Sequence, residues 1–258
     1  MILTNPSRSV EVIKCALGEV MADIVIQDGM IVNVFTKELI KNTVAIKSGR
    51  IARINNCDDV TGVNTEIIEA DGKIVSPGFI ESHIHVESSM LTLTQFCAAT
   101  VIRGTTTIVI DPHEIANVLG VKGVKLLLKE REELPFRCLV EVPSCVPAVA
   151  DFENAGANLD VEAVAELLKE DTFALAEMMN FPGVLLCVPE VLQKINAAHR
   201  ANKIVEGHAP GISGKELNAY ISAGISSDHE TTTVEEALEK LRLGIKLQIR
   251  EGSFAKDL

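Results

Sequence analysis

Histidines and one glutamate recur where predicted β-strands end. His83 and His85 in the segment ESHIHVESS are separated by one residue, and residues i and i+2 of a strand face the same side. Both imidazoles can therefore bind one metal ion. Glu177, His208 and His229 occupy the same position on later predicted strands. The first pair alone would also fit two polar residues at a strand end, but the recurrence predicts a metal cluster of nitrogen and oxygen ligands.

A second group of polar residues follows predicted strands and could contact a substrate. Asp111 and His113 come after the second strand of the series, where His113 either contacts substrate or stabilises the start of a helix. Arg250, Glu251 and Ser253 follow the last strand, where they either face the substrate or are ordinary polar loop residues. We predict substrate contacts for Asp111, His113, Arg250 and Glu251.

Strand and helix patterns alternate from Gly78 to the end of the chain. Short apolar runs without polar alternation are typical of parallel strands covered on both faces by helices. Seven such runs are present: FIESHIHV, TTTIVID, RCLVEVPS, TFALAEMMN, KIVEGHAPG, ISSDHE and KLQIREG. Their polar C-terminal ends predict an α/β fold of the (β/α)8 TIM-barrel type, in which strand ends build the active site. A doubly wound open sheet is the alternative, and the absence of its G-x-G-x-x-G turn counts against it.

The predicted barrel is incomplete in this chain. A complete barrel takes about 250 residues, and the sequence after Gly78 has room for about six βα units of that size. Seven strands are recognisable and an eighth is not. We therefore expect the chain to be the N-terminal portion of a longer protein, and we expect the open edges of a partial barrel to favour a homo-oligomer.

The region before the barrel is β-rich. A helix opened by Asn5-Pro6 is predicted to end near Gly18. Short β-branched runs then alternate with Asp-Gly and Ser-Gly turns, a pattern typical of hairpins. We predict two domains: residues 1–76, a helix with a β-rich unit, and residues 77–258, the partial barrel.

The amino-acid composition indicates a globular protein and limits the kinds of partner that are expected. The 258 residues are 47% hydrophobic and 23% charged, as in a globular protein. The formal charge of −12 comes without a cluster of Lys and Arg, and aromatic residues make up only 3% of the chain. Nucleic acid and membrane surfaces are therefore not expected partners, and a small-molecule substrate is.

The cysteine pattern predicts a reducing compartment. The six cysteines are scattered and none forms a C-x-x-C pair, so we expect buried free thiols and neither disulfides nor a thiolate zinc site. The N-terminus lacks a continuous apolar stretch with a small-residue cleavage site. We expect a cytoplasmic protein.

Four strings in the sequence carry a family resemblance. GKIVSPGFIESHIHVESSM, RGTTTIVIDPHEIANVLG, EGHAPG and SSDHE resemble the adenine deaminase branch of the amidohydrolase superfamily. The resemblance covers essentially the whole chain. It implies a metal-dependent (β/α)8 barrel beside a small β-sandwich, and hydrolytic deamination of adenine to hypoxanthine and ammonia by a metal-activated hydroxide.

The resemblance also implies roles for individual residues. His83 and His85 would bind the buried metal ion. Glu177 stands where many relatives hold a carboxylated lysine and would bridge two ions, and His208 and His229 would bind the second. Glu177 and His229 are accordingly the expected catalytic residues. Manganese is the expected metal, with iron or zinc as alternatives, in a site that holds one or two ions.

Two alternatives remain open. One is a different amidohydrolase, a cyclic-amide hydrolase or an N-deacetylase. Glu177 in place of lysine counts against the dihydroorotase-like branch, which needs a carbamylated lysine. The other is an inactive fragment that binds metal. The superfamily places a metal-binding, proton-shuttling Asp at the end of the eighth strand, and no eighth strand is recognisable in this sequence.

Overall fold

The chain forms two compact units that meet in sequence between Gly78 and Phe79. The computed structural model describes residues 10–149, 152–153, 156–252 and 255–258. The helix start predicted at Asn5-Pro6, and Ser253, lie outside the described residues. The predicted boundaries of 1–76 and 77–258 differ from this division by two residues.

The first unit is one helix and a five-stranded sheet. Strand β1 is central, antiparallel to β2 and parallel to β4 and β5, while β3 pairs with β2. Ser48 and Gly49 connect β2 to β3 with positive φ angles of 50° and 69°, the backbone that a two-residue hairpin turn needs. The elements are α1 (Val10–Leu17), β1 (Ile24–Asn33), β2 (Glu38–Lys47), β3 (Arg50–Ile54), β4 (Glu66–Glu69) and β5 (Ile74–Val75).

The second unit contains seven parallel strands at the seven predicted segments. Consecutive strands are neighbours throughout, because bridges between Val142 and Leu175 and between Val205 and Ile225 join the three sheets into one series. This series confirms an incomplete barrel of the TIM type. The strands are β6 (Phe79–Ile84), β7 (Thr105–Ile110), β8 (Arg137–Val140), β9 (Ala174–Met178), β10 (Ile204–Gly207), β11 (Ser227–Asp228) and β12 (Lys246–Leu247).

The first and last strands of the series are tied by a side chain. Gln248, directly after β12, donates a hydrogen bond from Nε2 to the backbone carbonyl of Ser82 in β6, at 3.2 Å. Within the described residues no further strand stands between them. The two ends of the partial barrel are therefore in contact.

Helices follow the strands of the second unit. Their apolar faces pack on the strands around residues such as Ile108, Leu175 and Val205, which are fully buried. The helices are α2 (Leu93–Val101), α3 (His113–Leu119), α4 (Val121–Glu130), α5 (Val161–Leu167), α6 (Phe181–Leu185), α7 (Pro189–Arg200), α8 (Gly214–Ser222) and α9 (Val234–Arg242). The longest described helix has 12 residues, too few for any of them to cross a bilayer.

Four local features of the second unit could not be read from the strand pattern or refine it. The apolar pattern after His113 would fit a single helix, but the helix divides at Gly120, whose φ of 61° and ψ of −141° no helix accommodates. Helix α6 was not predicted. Five cysteines are buried as expected, but Cys187 is exposed, in a turn after α6 with a φ of 55°. Asp160 caps α5 and accepts a hydrogen bond from the amide of Ala163.

A buried ion pair fixes the last part of the barrel. Lys240 on α9 and Asp228 at the end of β11 are almost wholly inaccessible, and their charged atoms are 2.8 Å apart. Asp228 also accepts a hydrogen bond from the amide of Ala209, in the loop that carries His208. Burial would raise the pKa of Asp228, but the hydrogen bonds from Lys240, Thr231 and Ala209 together with the charge of Lys240 outweigh burial and lower it. The pair therefore holds two strand ends and a helix together.

Replacing Lys240 with Met should leave Asp228 as a buried charge without its cation. We expect the free energy of unfolding to fall by about 3–5 kcal/mol, as when one partner of a buried ion pair is removed. Denaturant unfolding of Lys240→Met measures the loss. Arg242→Met, an exposed position on the same helix, is the control and should stay close to wild type. Equal losses in the two variants would contradict the role of the pair.

Candidate metal centre

The predicted site residues lie at the C-terminal ends of the strands and converge there. His83 is in β6 and His85 follows it, so alternation along the strand turns both imidazoles inward. Glu177 lies in β9, and His208 and His229 directly follow β10 and β11. All five side chains are close neighbours, because the ends of parallel strands meet at one face of the barrel.

Glu177 is the centre of this group. Its carboxylate is 2% exposed, and one oxygen, Oε1, lies 3.3 Å from His85 Nε2 and 3.1 Å from His113 Nδ1. The other oxygen, Oε2, lies 2.7 Å from His208 Nδ1 and 2.8 Å from His229 Nε2. A single carboxylate thus faces two pairs of imidazoles, one pair on each oxygen.

The electrostatics follow from this packing. Burial would raise the pKa of Glu177, but its four imidazole neighbours outweigh burial and lower it. Burial would lower the pKa of His85 and His113, but Glu177 and Asp111 outweigh it and raise these pKa values to about 9 and about 11. Burial, reinforced by the neighbouring His229, lowers the pKa of His83 to about 3.

Several nitrogen atoms of the centre have no hydrogen-bond partner among the described residues. Both ring nitrogens of His83 and the Nδ1 of His229 are buried, and neither ring has a hydrogen bond at these atoms among the described residues. His85 donates from Nδ1 to the backbone carbonyl of Asp111 at 2.9 Å, so its other ring nitrogen, Nε2, faces Glu177. Imidazole nitrogens fixed in this way, with carboxylate oxygens beside them, suit a divalent metal ion. The residues present therefore fit the metal that the sequence predicts.

The candidate ligands form overlapping groups whose donor atoms lie within 4.8 Å of one another. His83 and His85, expected to share one ion, fall in different groups, although their ring centroids are 5.0 Å apart; the His83 ring stacks on His229 with centroids 4.0 Å apart. Their sharing of an ion stays a prediction. The groups in this centre are His85 with Asp111, His113 and Glu177; His83 with Glu177 and His229; and His208 with His229 and Glu230.

The residues predicted to contact substrate occupy two places. Asp111 is buried and its Oδ2 lies 3.3 Å from His113 Nδ1, so both lie among the candidate ligands. Arg250 forms a two-point ion pair with Glu230, with distances of 2.9 Å to each oxygen. Arg250 and the exposed Glu251 line a cavity of about 420 Å³ that also reaches His83 and His229.

The backbone around the centre is fixed by the one tyrosine of the chain. Tyr220 on α8 is fully buried. Its hydroxyl donates to the carbonyl of Met178, at the end of β9, and accepts from the amide of His208, both at 3.0 Å. The strand ends that carry Glu177 and His208 are therefore held at a set distance.

Sequence reasoning missed four carboxylates near the histidines. Glu114 on α3 lies 3.5 Å from His85 Nδ1, and Glu230 follows His229 directly. Glu206 precedes His208 by two residues, and Glu141 follows the apolar strand segment CLV. A charged residue in an otherwise apolar strand segment is the signal that could have identified Glu141 and Glu206.

His199, in the helical segment AAHRAN, is exposed on α7 and lies outside the candidate ligand groups.

Comparisons with known proteins agree with the motifs. A model of the amidohydrolase family matches residues 74–254. The adenine deaminase of Methanococcoides burtonii is 48% identical over 244 residues, which cover 94% of this chain and 42% of that protein. The adenine deaminase of Archaeoglobus fulgidus is 48% identical over 261 residues, covering 99% and 45%. The chain spans less than half the length of these relatives, and the resemblance predicted from the motifs is confirmed.

Solved structures share the fold at low sequence identity. The N-acyl-D-glutamate deacylase of Bordetella bronchiseptica matches with a TM-score of 0.60 and 16% identity, over 89% of this chain and 58% of that one. The N-isopropylammelide isopropylaminohydrolase of Burkholderia multivorans matches with a TM-score of 0.60 and 15% identity, over 92% and 70%. These neighbours support the barrel fold.

Replacing Glu177 with Gln should reduce the number of metal ions bound, because a neutral amide cannot bridge two cations as a carboxylate does. We expect Glu177→Gln to lose at least one equivalent of Mn²⁺ per chain, measured by elemental analysis after equilibrium dialysis. Glu177→Asp, which keeps the charge, should retain metal at lower affinity.

A control variant and a folding measurement accompany this prediction. His199 is exposed on α7 and is not a candidate ligand, so His199→Ala should bind as much Mn²⁺ as wild type. Thermal melting checks that each variant is folded. An unchanged metal content in folded Glu177→Gln would remove Glu177 from the centre.

Proposed function

The chain belongs to the amidohydrolase family, and from this premise we propose that it carries the metal centre of an adenine deaminase. The reaction adds water to C6 of adenine and releases the 6-amino group as ammonia, leaving hypoxanthine. The observation that supports this most directly is the position of Glu177, whose two oxygens face two separate pairs of imidazoles.

We propose His83, His85, Glu177, His208 and His229 as the metal ligands, with Glu177 shared between two ions. Divalent ions bound there would acidify a water molecule and stabilise negative charge that develops on the purine ring. Manganese is our preferred metal and iron or zinc the alternatives, since the donors are imidazoles and carboxylates and include no thiolate.

The protein's own groups would orient the substrate and handle protons. Arg250 and Glu251 line the cavity beside the centre, and the planar guanidinium of Arg250 is held by Glu230. His113 is partly accessible and is held by the buried Asp111. We propose that these residues contact the purine directly or, for Asp111, through His113. Glu177 and His229, which are in contact, are the proposed catalytic residues, because the departing amine needs a proton.

We propose a cytoplasmic enzyme of purine metabolism, a placement supported by the reduced cysteines and by the small-molecule substrate. The homo-oligomer expected from the open barrel edges stays a prediction. A cyclic-amide hydrolase or an N-deacetylase is the alternative reaction, and an inactive metal-binding fragment is the alternative function.

Adenine turnover by the Mn²⁺-loaded chain tests the proposal. We expect equal release of hypoxanthine and ammonia, measured by chromatography and by a coupled ammonia assay, and we expect Glu177→Gln to abolish both. A cyclic amide and an N-acetyl amino acid are the comparison substrates. Turnover of either without adenine deamination would favour the alternative reaction. A folded, metal-loaded chain with no turnover would favour the inactive fragment.

Replacing Arg250 with Met should act on substrate binding more than on metal binding. The change removes the guanidinium from the cavity but leaves the five proposed ligands in place. We expect a raised KM for adenine with an unchanged Mn²⁺ content. Arg242→Met, exposed on α9, is the matched control. Loss of metal in Arg250→Met would show that this residue supports the centre itself.

A further inference from the structure

A layer of four polar side chains includes one histidine of the metal centre. His83, Glu141, Glu206 and Gln248 come from the first, third, fifth and seventh strands of the barrel, either within the strand or directly after it. Interior layers of such barrels consist of four side chains from alternate strands, and branched apolar residues usually fill them. Here the layer holds a histidine, two glutamates and a glutamine. We call these four residues the polar floor.

Three members of the polar floor have buried side chains, Gln248 is half-buried, and the hydrogen bonding of the group is incomplete. Glu141 is fully inaccessible, and the side chains of His83 and Glu206 are each 7% exposed. Both oxygens of Glu141, the Oε2 of Glu206 and both ring nitrogens of His83 have no hydrogen-bond partner among the described residues. A buried carboxylate without a partner costs free energy, so a set of such groups at one place needs a reason.

His83 and Glu206 are the two members closest to serving each other. His83 Nδ1 lies 3.8 Å from Glu206 Oε2, and both atoms are buried without a hydrogen-bond partner among the described residues. Gln248, from the seventh strand, donates a hydrogen bond to the carbonyl of Ser82, next to His83. The Glu206 carboxylate itself lies on the Nδ1 side of the His83 ring.

The charged groups around the polar floor give Glu206 no cationic partner among the described residues, so His83 is the neighbouring donor. The charged groups that act on Glu141 are carboxylates, those of Glu206, Asp111 and Glu177. Neither Glu141 nor Glu206 has an ion pair with Lys or Arg within the part of the chain that the structure describes. An N–H from His83 is thus the polar donor that this carboxylate can gain.

We propose that Glu206 is a positioning residue for the metal centre: it accepts a hydrogen bond from Nδ1–H of His83 and so directs the Nε2 lone pair of that ring toward Glu177 and His229. A neutral imidazole has one N–H and one lone pair, so fixing the proton on Nδ1 fixes the lone pair on Nε2. Carboxylates that accept the second N–H of a metal-binding histidine set its tautomer and raise its basicity. The proposal rests on the proposed metal centre and deepens it.

Metal affinity and histidine tautomer together test the proposal. Glu206→Leu removes the acceptor and should raise the Kd for Mn²⁺ about 10- to 100-fold, the usual effect of losing such a partner. Glu206→Gln keeps a weaker acceptor and should give a smaller rise. Competition titration against a chelator measures both Kd values and the number of ions bound, and thermal melting confirms folding.

The tautomer is read separately, in the metal-free protein. Nitrogen-15 NMR of the His83 ring, assigned by its loss in His83→Asn, should show the proton on Nδ1 in wild type and a mixture of the Nδ1–H and Nε2–H tautomers in Glu206→Leu. A loss of packing alone would not move this signal. Two control variants should keep the wild-type Kd and tautomer. Glu141→Gln changes the polar floor but leaves the Glu206 acceptor in place, and Glu216→Gln changes an exposed residue on α8.

Two results would overturn the proposal. One is an unchanged Kd and an unchanged tautomer in folded Glu206→Leu. The other is the loss of one whole Mn²⁺ equivalent in both Glu141→Gln and Glu206→Gln, which would show that the polar floor itself binds a cation. Neither readout uses adenine, so a failure of the proposed deamination leaves the test intact.

Discussion

The structure depends on one carboxylate placed among four imidazoles. Glu177 is buried in β9, and its contacts reach histidines that follow β6, β7, β10 and β11. Each of these strands must end at the same level and in the same register for the contacts to form. A slip of one residue in a strand turns its inward side chains outward, so the centre would be lost with it. The chemistry of the site therefore constrains most of the barrel.

Residues outside the centre maintain this alignment. Tyr220 joins the backbone at the end of β9 to that of His208, and Asp228 joins the next loop to Lys240 on α9. Both are buried polar side chains whose hydrogen bonds are satisfied, which makes them rigid supports. The polar floor is the contrast, because its donors and acceptors are only partly matched. One of these groups, Glu206, is the residue that we propose positions the His83 ring.

The sequence was most informative where chemistry and periodicity coincide. Seven apolar runs with polar ends predicted the seven strands, and the spacing of His83 and His85 predicted inward-facing imidazoles. The break at Gly120 and the exposure of Cys187 depend on single backbone conformations, which apolar periodicity does not encode. Glu141 and Glu206 were missed because each lies in an apolar run, and only the three-dimensional layer shows that they meet.

The hydrogen bond between Gln248 and Ser82 also affects the order of folding. It joins residues 166 positions apart, so the loop that it closes comprises most of the chain. Contacts of such long sequence separation form late, because the entropy of loop closure is lost before they contribute. β6 and β7 can pair as soon as they leave the ribosome, but the surroundings of His83 are complete only when the chain has been made as far as Gln248. We therefore expect metal affinity to be acquired at the end of folding, after most of the helices and strands have formed.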